Sequence, residues 1–369
     1  MTGKSYGDAV RRWEGVGPYY AMFPTAFADE VVRAYSKPGD VVLDPFAGRG
    51  TGVFSAAWQG RQAFGVEINP VGWIFARTKL EPAEYRSVVG RLEYVSALAN
   101  DCEREAEELP EFFHRCFSAP VLHFLVAARR TLDWRDDVVD STAMAMLLVY
   151  LHGKRGASLS NQMRQTKAMA PDYAVRWWKE RDLDPPELDP LSFMKSRLSW
   201  RYAKGRPGLT GSRMLLGDAT EVLPELGELL RKERKQVRLL FTSPPYFALT
   251  NYHYDQWLRL WLMGGPPSAQ RLPGAHKVRG KFENPKAYRE LLLSVFSACA
   301  ERLSKDGVAY VRTGAASLTL DATREALHTA LPRFAMREVR RPYTKATQTS
   351  LFGDSSKKAG EVDLVLTRL

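Results

Sequence analysis

The chain has 369 residues, 45% of them hydrophobic and 26% charged, and its 53 Lys and Arg against 42 Asp and Glu leave a net charge of +11. Those proportions exclude an intrinsically disordered chain, and the basic excess points to a polyanionic partner, because each neutralised phosphate releases condensed counterions. Three widely spaced cysteines (Cys102, Cys116, Cys299) without a Cys-x-x-Cys pair exclude a zinc cluster and a disulfide framework, so no metal is expected. The opening MTGKSYGDAVRRWEG lacks an apolar h-region and no apolar run is long enough to span a bilayer. A soluble cytoplasmic protein, away from membranes, is therefore expected.

In chain order, PTAFADEVVRAYS (24–36) reads as a helix ahead of a first strand, DVVLD (40–44). A glycine-rich turn, 44-DPFAGRGTG-52, leads into a helical stretch, GTGVFSAAWQG, and a second strand, AFGVEI (63–68), is followed by a helix, PVGWIFARTKL (70–80). From about 81 to 210 the texture changes to helices without strands: YRSVVGRLEYVSALANDCEREAEELPEFFHRCF, APVLHFLVAARRTLDW and STAMAMLLVYLHG. Strands then resume with SRMLLGDA (212–219), VRLLFTS (237–243), GVAYVRTG (307–314), FAMREVRR (334–341) and EVDLVLTRL (361–369). Between them TEVLPELGELLRKE (220–233) and PKAYRELLLSVFSACAERLS (285–304) carry the i, i+3, i+4 apolar spacing of helices packed on a sheet. The alternation predicts an α/β fold with a mostly parallel sheet, and the last two strands, with no helix between them, an antiparallel edge pair. The chain divides as 1–80 and 211–369, two parts of one α/β domain, around a helical insertion at 81–210 that is a possible target-recognition region.

The glycine turn is not the G-x-G-x-x-G of dinucleotide folds, because Val53 stands where the third glycine belongs; this excludes a nicotinamide-dependent oxidoreductase. Asp44 opens the loop, where it would repel a pyrophosphate and suit a cation. Glu67 at the next strand tip is placed to take both hydroxyls of a ribose, and Asp218 at the third to accept from an adenine amino group. Gly48 and Gly50 permit close approach of a ligand to the backbone. Three carboxylates around one glycine loop suit a positively charged nucleoside, and S-adenosylmethionine is such a molecule.

The fourth such strand ends in Ser243-Pro244-Pro245-Tyr246. Proline lacks a backbone donor, so a Pro-Pro pair must terminate the strand and leaves rigid carbonyls at its tip. DPFAGRGTG with VEINP after it, then GDA, then TSPPY, resembles the exocyclic-amino DNA methyltransferases across about two thirds of the chain, the helical insertion excepted. The resemblance implies a Rossmann-like class I methyltransferase fold with a seven-stranded sheet. It implies a donor site that extends to Phe23, Thr25, Phe46, Ala47, Thr51, Ile68, Ala219 and Thr242. Serine before Pro-Pro-Tyr is commoner in the N4-cytosine enzymes, Asp or Asn in the N6-adenine ones. The cytosine amino group is conjugated with its ring and is a poor nucleophile. Ser243 Oγ and the Pro244 carbonyl would accept its two hydrogens and turn its lone pair toward the sulfonium methyl, while Tyr246 would stack on a base swung out of the duplex. C5-cytosine transfer needs a cysteine nucleophile, typically after a proline, and no cysteine here follows one.

The stretch after the tetrad, NYHYDQWLRLWLMGG, offers Tyr252, His253 and Tyr254 to a base pocket, while Trp257, Leu260 and Trp261 are expected to form a helix core face. Three stretches combine basic residues with aromatics or amides. Residues 152–181 bear Lys154, Arg155, Asn161, Arg164 and Lys167 in what reads as a loop, 272–286 bear Lys277 and Arg279, and 337–352 form the third. Arg and Lys suit phosphate or guanine and Asn suits an adenine edge, so these are the expected DNA contacts. Trp177 and Trp178 are expected to pack a helix. The sequence thus reads as a cytosine-N4 DNA methyltransferase acting on double-stranded DNA, a monomer or weak dimer associated with the nucleoid, with room for a cognate restriction endonuclease. An N6-adenine enzyme, an RNA base methyltransferase and a catalytically silent nucleic-acid-binding protein are the alternatives.

Overall fold

The computed structural model describes residues 8–18, 22–209, 211–247, 252–269, 284–341 and 360–369. The chain forms two compact units, one of Met1–Tyr20, Arg77–Gly208 and Tyr252–Arg271, the other of Ala21–Ala76, Leu209–Asn251 and Leu272–Leu369.

The second unit holds a seven-stranded sheet: β1 (Val41–Asp44), β2 (Gln62–Glu67), β3 (Arg213–Leu216), β4 (Val237–Thr242), β5 (Leu303–Gly314), β6 (Phe334–Arg341) and β7 (Glu361–Arg368). Their order is β3-β2-β1-β4-β5-β7-β6. Every pair from β3 to β5 is parallel, and β7 runs antiparallel between β5 and β6. This is the expected α/β class, with the antiparallel pair at one edge. The apolar face of the sheet, including Leu43, Phe64, Val66, Leu240 and Val311, packs with Leu223, Leu226, Tyr288, Leu292, Val295 and Phe296 of helices Ala219–Lys232 and Pro285–Ala300. A further helix, Ser317–Ala330, which the apolar spacing did not pick out, joins β5 to β6.

The topology positions the site. From β1 the chain turns outward to β2 and β3 on one side, while β4 and β5 lie on the other, so the connections diverge between β1 and β4. In open parallel sheets that divergence leaves a crevice beyond the carboxyl ends of the strands. Asp44, Glu67, Thr242 and Gly314 end their strands there. Glu361 starts the reversed strand opposite Gly314.

The first unit is helical, and two segments assigned by their place in the chain to the α/β domain belong to it. Trp13 is fully buried, edge-on to Tyr202 at 5.0 Å, which ties helix Ala9–Glu14 to helix Pro190–Tyr202. Trp257 and Trp261 pack on Phe112 and Phe113 with ring centroids 4.9 and 4.5 Å apart. Trp257, Leu260 and Trp261 are therefore core, as their spacing suggested. Sequence order could not show this, because the partners lie some 140 to 190 residues away along the chain. Among the described residues no helix is long and apolar enough to cross a membrane.

Candidate active site

The loop after β1 is shaped by close approach. Gly50 caps the helix Thr51–Trp58 with φ of +71°, and a Cβ there would meet the Ala76 Cβ at 2.5 Å. Gly72, on the same helix as Ala76, would set a Cβ 2.9 Å from the Gly48 carbonyl oxygen. Only hydrogen at both positions lets helix Pro70–Leu80 press on the loop, which fixes the loop backbone in place. Ala47 and Thr51 are buried in this turn, and the Thr51 hydroxyl accepts from Arg49 Nε at 3.3 Å. Arg49, itself buried, is a loop residue to which the sequence analysis gave no role.

The carboxylates stand where their strand ends put them, with different surroundings. Asp44 is buried, and burial raises its carboxyl to about 7 against the opposing hydrogen bonds from Thr242 and the Phe46 amide. Oδ1 accepts from the Thr242 hydroxyl at 2.6 Å and from the Phe46 amide at 3.1 Å. Glu67 is likewise raised to about 7, by burial first and also by Asp44 nearby. Its Oε2 accepts from the Gly48 amide at 2.7 Å and its Oε1 from the Asn69 amide at 2.8 Å. The Ile68 amide also donates to it, and a carboxylate has about four acceptor sites, so these bonds orient Glu67 without exhausting it. Asp218 caps helix Ala219–Lys232, its Oδ1 accepting from the Thr220 amide at 2.9 Å and the Thr220 hydroxyl at 2.7 Å. Its Oδ2 takes no hydrogen bond from a described residue. Once ionised, an acceptor-only set of this kind fits a ligand made of a cation, hydroxyls and an amino group, and opposes a phosphate.

The other residues expected at the donor site differ in exposure and partners. Thr242 is fully buried and spends its hydroxyl on Asp44. Phe23 is half-buried and stacks one ring face on Phe241 at 4.7 Å and 6°. Thr25 opens helix Thr25–Tyr35, and Ala219 is buried at a helix start. Phe46 and Ile68 are half-buried, leaving apolar surface beside the carboxylates.

At the tip of β4 the tetrad is held toward its C-terminal end. The Tyr288 hydroxyl donates to the Pro245 carbonyl at 2.8 Å, and the Phe247 amide to Thr319 Oγ1 at 3.3 Å. The Tyr246 ring lies against Gly314, where a Cβ would approach its Cδ2 to 3.2 Å, and its hydroxyl is 3.4 Å from Glu361 Oε1. Pro244 is buried, Ser243 is half-buried, and neither the Ser243 hydroxyl nor the Pro244 carbonyl is engaged by a described residue. Tyr288, Thr319 and Glu361 were missed in the sequence because a tyrosine and a threonine on packed helices, and a strand-end glutamate, carry no local signal.

The basic stretch 152–181 is more ordered than a loop: Gly153 bridges to Gln162, Arg155 to Ser158, and a helix spans Pro171–Lys179. Asn161 corrects its expected role. Its side chain is fully buried, with Nδ2 donating to the carbonyls of Arg115 at 3.1 Å and Leu183 at 2.7 Å, so it cannot reach a base edge. Lys167 pairs with Asp255 at 2.5 Å. Lys154, Arg155 and Arg164 are exposed; Arg155 donates to the Asp184 carbonyl, and the other two have no carboxylate partner among the described residues. Trp178 is buried as expected, and Trp177 is half-buried under the Arg181 guanidinium. Lys277 and Arg279 lie outside the described residues, as do the side chains of Tyr252 and His253. Among the described residues no group of His, Cys, Asp and Glu could hold a metal ion.

Residues 3–71, which contain the glycine loop and Glu67, match the family model described as DNA methylase. Two curated proteins share this character over short stretches. The Type II methyltransferase M.Cfr9I of Citrobacter freundii is 44% identical over 54 residues, 15% of this chain and 18% of that protein. The Type II methyltransferase M.ScaI of Streptomyces caespitosus is 46% identical over 48 residues, 13% and 16% of the two chains. The chain thus aligns with less than a quarter of the length of either relative. Among solved structures, TrmN from Thermus thermophilus superposes with a TM-score of 0.35 at 11% identity, covering 98% of this chain and 52% of that one.

Proposed function

We propose that this chain, which carries the sequence of the exocyclic-amino DNA methyltransferases in its donor-loop region, methylates the N4 amino group of cytosine in duplex DNA. S-adenosylmethionine is the methyl donor of that family, and when bound it supplies an electrophilic methyl group on a cationic sulfur. Asp44, Glu67 and Asp218 fit it, as acceptors at three adjacent strand ends for its cationic, ribose and adenine parts.

The observation that carries the reading is the pair of acceptors at the tip of β4, beside Asp44, that no described residue engages. Ser243 Oγ and the Pro244 carbonyl accept the two amino hydrogens of the flipped base, which draws the nitrogen lone pair out of conjugation. Tyr288 holds the Pro245 carbonyl, so the rigid unit presents the Pro244 oxygen without reorganising. Tyr246 offers its ring to the base. After transfer the acceptor nitrogen carries a positive charge and loses a proton along one of the same two hydrogen bonds, toward solvent. No covalent enzyme intermediate is needed. Serine at 243 favours cytosine over adenine as the acceptor, and the net charge of +11 supports a DNA partner. A replacement of Ser243 by alanine tests the assignment: turnover on DNA should fall while donor affinity stays unchanged, and a loss of donor binding instead would contradict it.

A further inference from the structure

The seat of Tyr246 is built by residues far from the tetrad. Its ring rests on Gly314 and its hydroxyl approaches Glu361 Oε1 at 3.4 Å. Gly314 and Glu361 are cross-strand partners on β5 and β7, so one rung of the sheet supplies both the floor under the ring and the acceptor for its hydroxyl. Glu361 Oε2 lies 3.4 Å from Arg312 Nη1. Arg312 is in turn clamped to its own cross-strand partner Asp363, with Nε to Oδ1 at 2.6 Å and Nη2 to Oδ2 at 2.9 Å. Asp363 is fully buried and also accepts from the Tyr310 hydroxyl at 2.8 Å and Arg341 Nε at 3.0 Å. The outer face of Arg312 lies over the Phe27 ring, 3.6 Å from its centroid.

A buried ion pair with this many partners is a poor way to gain stability, because burial of the charges offsets much of their attraction. What it gains is a fixed direction: with Asp363 saturated, Arg312 holds Glu361, and Glu361 faces Tyr246. We propose that Glu361 and Arg312 are positioning residues that hold the Tyr246 ring on Gly314 as the platform for the acceptor base. Neither touches the reacting atoms. This rests on the function proposed above, in which Tyr246 stacks on the base.

The test is a double-mutant cycle on methyl transfer to duplex DNA, with donor affinity measured separately by calorimetry. Glu361→Ala should lower kcat/KM for DNA about tenfold, the effect of one lost charged hydrogen bond, and leave donor affinity unchanged. Glu361→Gln, which keeps an acceptor for the hydroxyl, should recover most of that loss. Tyr246→Phe combined with Glu361→Ala should be no worse than the poorer single variant, because both remove one contact. Gly314→Ala, which displaces the ring by a few tenths of an ångström without touching a charge, should reproduce the defect. Should Glu361→Ala fail to fold, the same cycle runs with Glu361→Leu, which removes the acceptor while keeping the volume. Multiplicative losses in the double variant, or a Glu361 variant that weakens the donor and not the DNA step, would overturn the proposal. A wild-type protein that methylates no DNA would overturn the function itself, an outcome distinct from an active enzyme whose variants act independently.

Discussion

Thr242 donates its hydroxyl proton to Asp44 Oδ1 at 2.6 Å, so the tips of two adjacent strands are joined at the point where the chain connections diverge. The threonine that opens the TSPPY run therefore holds the Asp44 carboxylate, which the proposed function assigns to the donor, and the serine after it is the residue that proposal assigns to the acceptor.

Thr242→Val keeps the shape and removes the hydroxyl. Asp44 then loses a bond that favours its ionised form, at a site where burial already opposes ionisation. The loss of a hydrogen bond to a charged group, roughly 1.5–3 kcal/mol, predicts a donor Kd about ten- to a hundredfold weaker by titration calorimetry. An unchanged Kd would mean that Asp44 does not serve the donor.

Acid–base behaviour follows from Asp44 and Glu67, both raised to about 7 by burial. An unfolded carboxyl titrates near about 4, so between that pH and about 7 the folded protein holds protons that the unfolded chain has released. The stability they contribute is full below about pH 4 and is lost as pH rises through about 7. Asp44→Asn should therefore flatten the fall in melting temperature of the ligand-free protein between pH 5 and 8, a range of ~3 pH units around the folded value. Donor binding, which favours ionised Asp44, should release a proton near pH 6.5 and tighten as the pH is raised. Calorimetry in two buffers of different ionisation enthalpy reads that proton directly.

His152 acts in the opposite direction. It is fully buried, with Nδ1 against the Arg164 carbonyl at 2.8 Å and no partner for Nε2 among the described residues. Burial, aided by the Arg259 charge, holds its ionisation well below the ordinary value. Its contribution to stability is present above the unfolded value of about 6.5 and is lost as the pH falls below it. Unfolding of the helical unit followed between pH 7 and 5 should show this loss, and His152→Gln should weaken the pH dependence.

Much of this was legible in the chain. Alternating apolar runs bounded by Gly, Pro and charges placed all the strands of the sheet, β1 for example at 41–44 against an expected 40–44. The helix at 317–330 escaped because its buried face is Thr319, Leu320, Ala322, Thr323, Ala326 and Leu327, and the threonines and alanines blur the apolar period. Asp44, Glu67 and Ser243 could be placed beside the crevice from sequence because strand ends are visible there and the crevice lies at strand ends. Asn161 was misread because a buried amide that satisfies two carbonyls looks, one residue at a time, like an exposed loop amide. Arg312, Glu361 and Asp363 escaped for the reason that makes them interesting: charges inside strands look solvent-facing until a partner strand pairs them.

In the basic stretch, buried Asn161 and exposed Lys154 and Arg164 serve different ends. Asn161→Ala should cost about 1–3 kcal/mol of stability, the penalty for buried carbonyls left without a donor, and leave DNA affinity unchanged. Lys154→Ala with Arg164→Ala should do the reverse, leaving the melting temperature alone and reducing the salt slope of DNA binding by about two. Equal effects of both replacements on DNA affinity would show that this stretch does not meet the phosphate backbone as proposed.

The most direct measurement is to incubate the purified protein with methyl-labelled S-adenosylmethionine and duplex DNA, digest the DNA, and identify the labelled nucleoside by mass spectrometry. The account predicts N4-methylcytosine. N6-methyladenine would keep the fold and the strand-tip mechanism while overturning the acceptor read from Ser243. Absence of label from DNA, under conditions where the donor binds, would contradict the central claim.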